Sequence, residues 1–389
     1  MIEAIEDKAS VYVSGLTALK NDGRLRDLRP RNGIDFSSND YLALANAPRM
    51  RKAISAALRS GTPIGAGGSR LLRGNCAEHE ELELDAAQFF GVEAAIFFAS
   101  GYTANFAVLT TLPQKGDLLV LDQLVHASIH EGARAGRAEF RFSAHNDPNS
   151  VEEMIRSFRS EGGRGRIWIV AETLYSMDGD FAPLEALVTI ADRHDAYLML
   201  DEAHATGVFG EEGRGLAAGY EGRENLVVVH TCGKALGAAG ALVTTTKVLR
   251  DFIVNRCRPF IFSTAPSPLI AVAVREALSI LRDEPERRQR LADLIAFAHR
   301  EISMRTGHEL SGWRLSGSQI MPYVVGDNAR AMALAEGLQA RGFDIRGVRP
   351  PTVPPGTARL RISLTNNVGE DDVRAMLNAL AELTEDERQ

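Results

Sequence analysis

One lysine in this chain sits in a tight turn among small residues, Thr231-Cys-Gly-Lys234-Ala-Leu-Gly, a poor setting for a solvated surface charge. Burial there disfavours the ammonium form and leaves a nucleophilic amine, so Lys234 is a candidate for Schiff-base chemistry. A phosphate-loop lysine is excluded by spacing, because that motif needs a glycine where Val228 stands; a plain surface lysine is the remaining alternative. Asp201 ends the apolar run Tyr197-Leu-Met-Leu200, with His204 three residues on. A carboxylate in that position is costly unless it meets a cation, such as the protonated nitrogen of a heteroaromatic ring, or caps the next helix. Ser100-Gly101-Tyr102 lies between a strand-like run and a helical one, where free backbone amides can hold a phosphate. Gly65-Ala-Gly-Gly68 is also glycine-rich, but Arg70 stands where the dinucleotide fingerprint needs glycine. His126 and His130 are four apart, as metal ligands on one helix face would be. With no third ligand and no HExxH motif, the spacing reads as one functional or core histidine and one incidental one.

Strand-like apolar runs alternate with amphipathic segments: Ala94–Ala99, Asp117–Leu121, Arg166–Ala171, Tyr197–Leu200, Leu226–His230 and Ala241–Thr244. This alternation predicts an α/β fold, a mainly parallel sheet with helices on both faces. Ligands of such sheets bind beyond the carboxyl ends of the strands. Five polar clusters follow those ends: Ser100–Thr103, Asp122 with His126, Glu172-Thr173 with Ser176–Gly179, Asp201–His204, and Thr231–Lys234. After Pro266–Pro268 the pattern changes to one long helical stretch (Ala271 to about Arg305), two shorter strands (Ile320–Val325, Arg359–Leu364) and a closing helix. The expected organisation is an N-terminal arm (1–45), a large domain (46–275) and a smaller C-terminal α+β domain (276–389).

With 389 residues, 24% of them charged and 45% hydrophobic, the chain can bury a large core and is not disordered. Forty-four basic residues against 51 acidic ones give a net charge of −7, which argues against a general nucleic-acid or anionic-membrane binder. The three cysteines, Cys76, Cys232 and Cys257, form neither a disulfide framework nor a CxxC metal site, as suits a reducing compartment. The first residues are acidic and lack an apolar signal core, and no uncharged stretch is a membrane span; a cytoplasmic location is expected.

Taken together, Asp201-Glu-Ala-His204-Ala-Thr-Gly and Thr231-Cys-Gly-Lys234 resemble fold-type I pyridoxal-phosphate enzymes, and more narrowly the α-oxoamine synthases. The resemblance extends over nearly the whole chain, through Ser38–Leu42, Gly67–Arg70, His79–Glu83, Ser176–Gly179 and Arg349–Pro354 running into Arg359-Leu-Arg361. It implies a homodimer with a seven-stranded-type sheet, and pyridoxal 5'-phosphate as cofactor in a Schiff base on Lys234. Asp201 is then the partner of the ring nitrogen, His204 and Ser176 lie at the phenolic oxygen, and His126 stacks on the ring. Gly101, Tyr102 and Thr231 hold the phosphate, with Ser263 and Thr264 reaching it from the second subunit. Asn39 and Arg361 bind the amino-acid carboxylate, with Arg359 as the alternative, since alternation puts both arginines on one strand face. Arg26 and Thr352 face the acyl substrate. The tract Arg349-Pro-Pro-Thr352-Val-Pro-Pro and Ala144-His-Asn-Asp147 are most similar to the member that condenses L-alanine with a pimeloyl thioester, on CoA or acyl-carrier protein. Members that join glycine to acetyl- or succinyl-CoA are the alternatives, and an aminotransferase shares the fold. Ala43 departs from the glycine usual in the family. The elbow Arg24, Arg26, Arg29, Arg31 reads either as a solvated face or as a patch for CoA phosphates.

Overall fold

The computed structural model describes residues 2–305 and 312–386. After a helix (Ile2–Asn21) the chain runs extended into a two-residue strand, β1 (Ile34–Asp35). Seven strands then build the central sheet: β2 (Ala94–Phe98), β3 (Leu118–Asp122), β4 (Glu139–Ser143), β5 (Ile167–Glu172), β6 (Tyr197–Asp201), β7 (Leu226–Thr231) and β8 (Ala241–Thr245). Their order is β2-β8-β7-β6-β5-β3-β4, parallel throughout except for β8, which runs antiparallel to both neighbours. Strand periodicity divides the apolar side chains between two covered faces. Leu119, Val170, Met199 and Val229 join one buried cluster, while Val120, Ile169, Leu200 and Val228 join another on the opposite face.

The six strand-like runs all form strands, and β4 is the addition. Its sequence, Glu139-Phe-Arg-Phe-Ser143, is a partly exposed edge strand, so it lacks the continuous apolar run that marks a strand buried on both faces. The long helix expected from Ala271 to Arg305 is two helices, Pro268–Asp283 and Glu286–Arg305. Pro285 has no amide to donate and disfavours helical geometry at Glu284, whose φ and ψ are −125° and 58°. The first of these helices runs through the 275/276 junction and packs on the helices Pro48–Arg59 and Ala77–Phe90.

Beyond them, β9 (Ile320–Gly326), β10 (Phe343–Asp344), β11 (Arg346–Val348) and β12 (Ala358–Ser363) complete the strands. β12 lies between β11 and β9 in an antiparallel sheet, and β10 pairs with β1. The N-terminal segment is laced to β12 and its continuation: Ser363 N donates to Phe36 O (2.8 Å) and Asn366 N to Tyr41 O (2.9 Å). That lacing brings Tyr41, whose hydroxyl bonds Asn39, to Arg361. Ala43 carries φ of +55°, the left-handed region that glycine occupies without strain.

Candidate active site

The carboxyl ends of β5, β6 and β7 place Glu172, Asp201 and Thr231 along one edge, and Glu172 and Asp201 are register partners. Asp201 is buried and held from two sides: Asn105 Nδ2 donates to Oδ2 (2.6 Å) and the Ala203 amide to Oδ1 (2.9 Å). Asn105 also donates to Ser128 Oγ (3.0 Å), which lies 2.8 Å from His126 Nδ1. A continuous polar chain thus links His126 to Asp201. Burial lowers the His126 pKa, with Lys234 adding to the effect and Asp201 opposing it, so the ring is neutral near pH 7.

Lys234 follows β7 in a turn closed by Gly237 N donating to Lys234 O (2.8 Å). Burial pulls its pKa below the usual lysine range, against the opposing pull of Asp201 and Glu172, and Arg361 adds to the depression. Glu172 is fully buried with Oε1 unpartnered among the described residues. Burial, then the charge of Asp201, pushes its carboxyl well above the carboxylate range. Ahead of this edge, Ser100 caps the helix Gly101–Thr111 by accepting from Thr103 N (3.1 Å). The first turn leaves the Gly101 and Tyr102 amides without an intrahelical acceptor. Gly101 is required by its neighbour, since a Cβ there would stand 2.6 Å from Thr231 Oγ1.

A second group of side chains comes from the N-terminal segment and β12. Tyr41 Oη stands 2.7 Å from His204 Nδ1, donates to Asn39 Oδ1 (2.9 Å), and lies 3.5 Å from Arg361 Nη2. Burial, with Lys234 and Arg361 nearby, drives the His204 pKa well below its ordinary value. Arg359 and Arg361 differ sharply in employment. Arg359 is ion-paired to Asp178 (2.5 Å) and donates to Met177 O and Thr357 O. Arg361 donates to Ser176 O (2.6 Å) and Ser363 Oγ (2.7 Å) and has no carboxylate partner among the described residues, although it is buried. The ambiguity that strand spacing left open is therefore narrowed by what each guanidinium already touches.

Other expected site residues lie farther out. Arg26 and Thr352, both exposed, approach each other at 3.5 Å, which joins the arginine elbow to the Pro-rich tract. Ser263 and Thr264 are exposed just after the short helix Arg258–Ile261. His130 packs its ring on Phe142 (centroids 5.2 Å apart) rather than joining His126, and no metal-ligating cluster exists among the described residues. Sequence reading assigned no role to Asn105, Ser128, Glu172 or Tyr41. A buried asparagine in the otherwise apolar Ala104–Leu109 stretch was the available signal for Asn105; Ser128 carries none.

A family model for class I and II aminotransferases matches residues 31–380. The chain belongs to that family. Among its curated relatives are 8-amino-7-oxononanoate synthases from Geobacter sulfurreducens, 41% identical over 96% of this chain and 94% of that one, and from Cupriavidus necator, 39% identical over 90% and 88%. Among solved structures, the Sphingomonas wittichii serine palmitoyltransferase is 28% identical with a TM-score of 0.86, covering 97% of each chain. The 8-amino-7-oxononanoate synthase from Francisella tularensis is 28% identical with a TM-score of 0.75, covering 92% of this chain and 99% of that one. A serine palmitoyltransferase from S. paucimobilis, 26% identical over 97% of each chain with a TM-score of 0.86, was solved with a bound PLP–myriocin aldimine.

The residues at the sheet edge fit pyridoxal phosphate. A lysine with a lowered pKa, a doubly braced aspartate, two histidines with depressed pKa values and a helix N-terminus abutting a threonine hydroxyl supply its complementary groups. No helix among the described residues is long and apolar enough to cross a membrane.

Proposed function

We propose that this chain catalyses the decarboxylative condensation of L-alanine with a pimeloyl thioester to 8-amino-7-oxononanoate, CO2 and free thiol, a step of biotin biosynthesis. Its relatives' names, at about 40% identity over nine-tenths of both chains, support the substrate pair. The structural observation that carries the reading is Arg361, a buried guanidinium with no carboxylate partner among the described residues, one Tyr41 hydroxyl away from His204. A buried guanidinium without a carboxylate partner supports the binding of a small carboxylate there.

When bound, pyridoxal phosphate supplies a carbonyl that captures the amino group and a ring that accepts the electrons of Cα. Lys234 would carry it. The Gly101 and Tyr102 amides and the Thr231 hydroxyl would hold its phosphate, Asp201 would pair with its ring nitrogen, His204 and Ser176 would serve its phenolic oxygen, and His126 would pack against the ring. Arg361 and Asn39 bind the alanine carboxylate, which fixes the orientation of Cα–H. Lys234, its basicity set by burial, takes the Cα proton and later returns one. Asp201, braced by Asn105 and the Ala203 amide, would hold the proton of the ring nitrogen it meets. Arg26 and Thr352 receive the acyl donor, whether CoA or carrier protein, and Ser263 and Thr264 complete the phosphate site of the second subunit in a homodimer.

The test is the initial rate of thiol release by cofactor-loaded protein, with L-alanine and glycine each crossed against pimeloyl, acetyl and succinyl thioesters. A maximum at alanine with pimeloyl is expected. A maximum at glycine with a short acyl group overturns the substrate assignment, and amino-group exchange without thiol release overturns the condensation.

A further inference from the structure

The tract Ala144-His-Asn-Asp147 is absorbed by none of the roles above, yet His145 sits in one of the most heavily bonded polar clusters of the molecule. Its Nδ1 lies 2.9 Å from Asp122 Oδ1 and 3.1 Å from Oδ2, and its Nε2 lies 2.8 Å from Asp180 Oδ2. Carboxylate oxygens only accept, so both ring nitrogens donate and the ring is an imidazolium. Burial works against that charge, but Asp122 and Asp180 outweigh it and lift the pKa to about 10. Asn146 reinforces the same junction: its amide donates to Asp122 Oδ2 (2.8 Å), and its side chain to Asp180 Oδ2 (2.7 Å) and Phe181 O (3.1 Å). The Tyr175 ring closes the remaining side, edge-on to His145 at 4.4 Å.

Asp122 is fixed at the end of β3, whereas Asp180 belongs to the irregular segment 173–183 that follows β5. That segment folds on itself through Gly179 N to Tyr175 O (2.9 Å) and Tyr175 N to Asp180 O (3.0 Å). Its far side is held by the smaller sheet. Ser316 and Ser318 hydroxyls donate to Gly179 O, and Gly179 (φ +70°) has no room for a side chain against the Ile320 carbonyl. Met177 O and Asp178 take Arg359, and Ser176 O takes Arg361 Nε at 2.6 Å. A short chain of contacts therefore runs from His145 through Asp180 and the Tyr175–Gly179 turn to the guanidinium of Arg361.

We infer that His145 is a positioning residue for substrate binding: clamped between Asp122 and Asp180, it fixes the segment whose Ser176 carbonyl aims Arg361 at the amino-acid carboxylate. The inference rests on the reading of Arg361 as that carboxylate's ligand. A segment released from His145 still folds around Gly179, but the carbonyl that sets Arg361 loses its anchor to the large sheet. The consequence falls on the amino acid and not on the acyl donor, which approaches from the side of Arg26 and Thr352.

The experiment is a double-mutant cycle on the cofactor-loaded enzyme, with His145→Gln, Arg361→Lys and the pair together. L-alanine affinity is read by calorimetry, beside kcat and KM for both substrates. His145→Gln is expected to weaken L-alanine binding and raise its KM by roughly tenfold, while the thioester KM stays within about twofold. In the Arg361→Lys background the same change is expected to add less than about twofold, because the residue it positions is already altered. Asp180→Asn, which leaves the backbone bond from Tyr175 N to Asp180 O in place and removes one half of the clamp, is expected to give the same split at smaller size, and carries the test if His145→Gln fails to fold. Equal changes in both KM values, a loss of thermal stability with L-alanine affinity intact, or fully multiplicative effects in the double variant overturn the inference. If Arg361→Lys alone leaves L-alanine binding unchanged, the carboxylate reading falls first and takes the inference with it.

Discussion

Two aspartate–histidine pairs stand at the carboxyl ends of strands in the same sheet and have been put to opposite uses. At β3, Asp122 and Asp180 bond directly to both nitrogens of His145, and the result is a fixed cation tying two segments together. At β6, Asp201 reaches His126 only through Asn105 and Ser128, and His126 is left neutral with Nδ1 engaged by a hydroxyl. The difference lies in the intervening group. A carboxylate on each ring nitrogen stabilises charge and uses up both donors, whereas a hydroxyl holds the ring's orientation without imposing a proton. The first arrangement makes structure, and the second leaves a ring and an aspartate free to meet a ligand.

The contrast is tested most severely on the ligand side. Lys234→Ala is expected to abolish turnover and the near-ultraviolet to violet absorbance of the lysine–cofactor adduct; an unchanged spectrum removes Lys234 from its role. Asp201→Asn is expected to retain cofactor but lose roughly 10³-fold or more in kcat, because a neutral amide cannot hold its partner's proton. Its register neighbour offers a sharper comparison: burial and the charge of Asp201 push the Glu172 carboxyl well above the carboxylate range, so Glu172→Gln is expected to cost less than about tenfold. Equal losses at the two positions in steady-state assays would contradict the distinction drawn between the two carboxyl groups.

On the structural side the readout is stability against pH. The folded pKa of His145 lies above its unfolded value of about 6.5, so its contribution is fully present below that pH and is lost as pH rises through about 10. Urea unfolding of wild type and His145→Gln is expected to show the largest gap near pH 6 and a shrinking one by pH 10.5; a gap that grows with pH contradicts the imidazolium. The smallest effect is expected at Ala43, whose φ of +55° strains an L-residue: Ala43→Gly should stabilise by about 0.5–1 kcal/mol in thermal or urea unfolding.

Much of the site was legible because strand ends in a parallel sheet announce themselves. An apolar run followed at once by Asp201, Thr231 or Ser100-Gly101 fixes both the element and the side on which its polar residue emerges, and family resemblance named the cofactor. Elements with mixed exposure were less legible: β4, on an edge, shows no unbroken apolar run, and the break at Pro285 divides a stretch whose helical pattern continues on both sides. The supporting residues were the hardest to read. Tyr41 and Arg361 are 320 positions apart in sequence, and nothing local in either segment states that they meet.

By itself, then, the sequence determined the fold class, the family to which the chain belongs and the strand ends from which Asp201 and Thr231 emerge, because each of these is set by local patterning or a short motif. Tertiary structure alone decided which of two arginines on one strand face is ion-paired, which histidine is clamped between two aspartates, and which carboxyl is buried beside Asp201. Those properties depend on the partners that distant segments bring within about 3 Å and on the water they exclude, and neither is written in the spacing of a single segment.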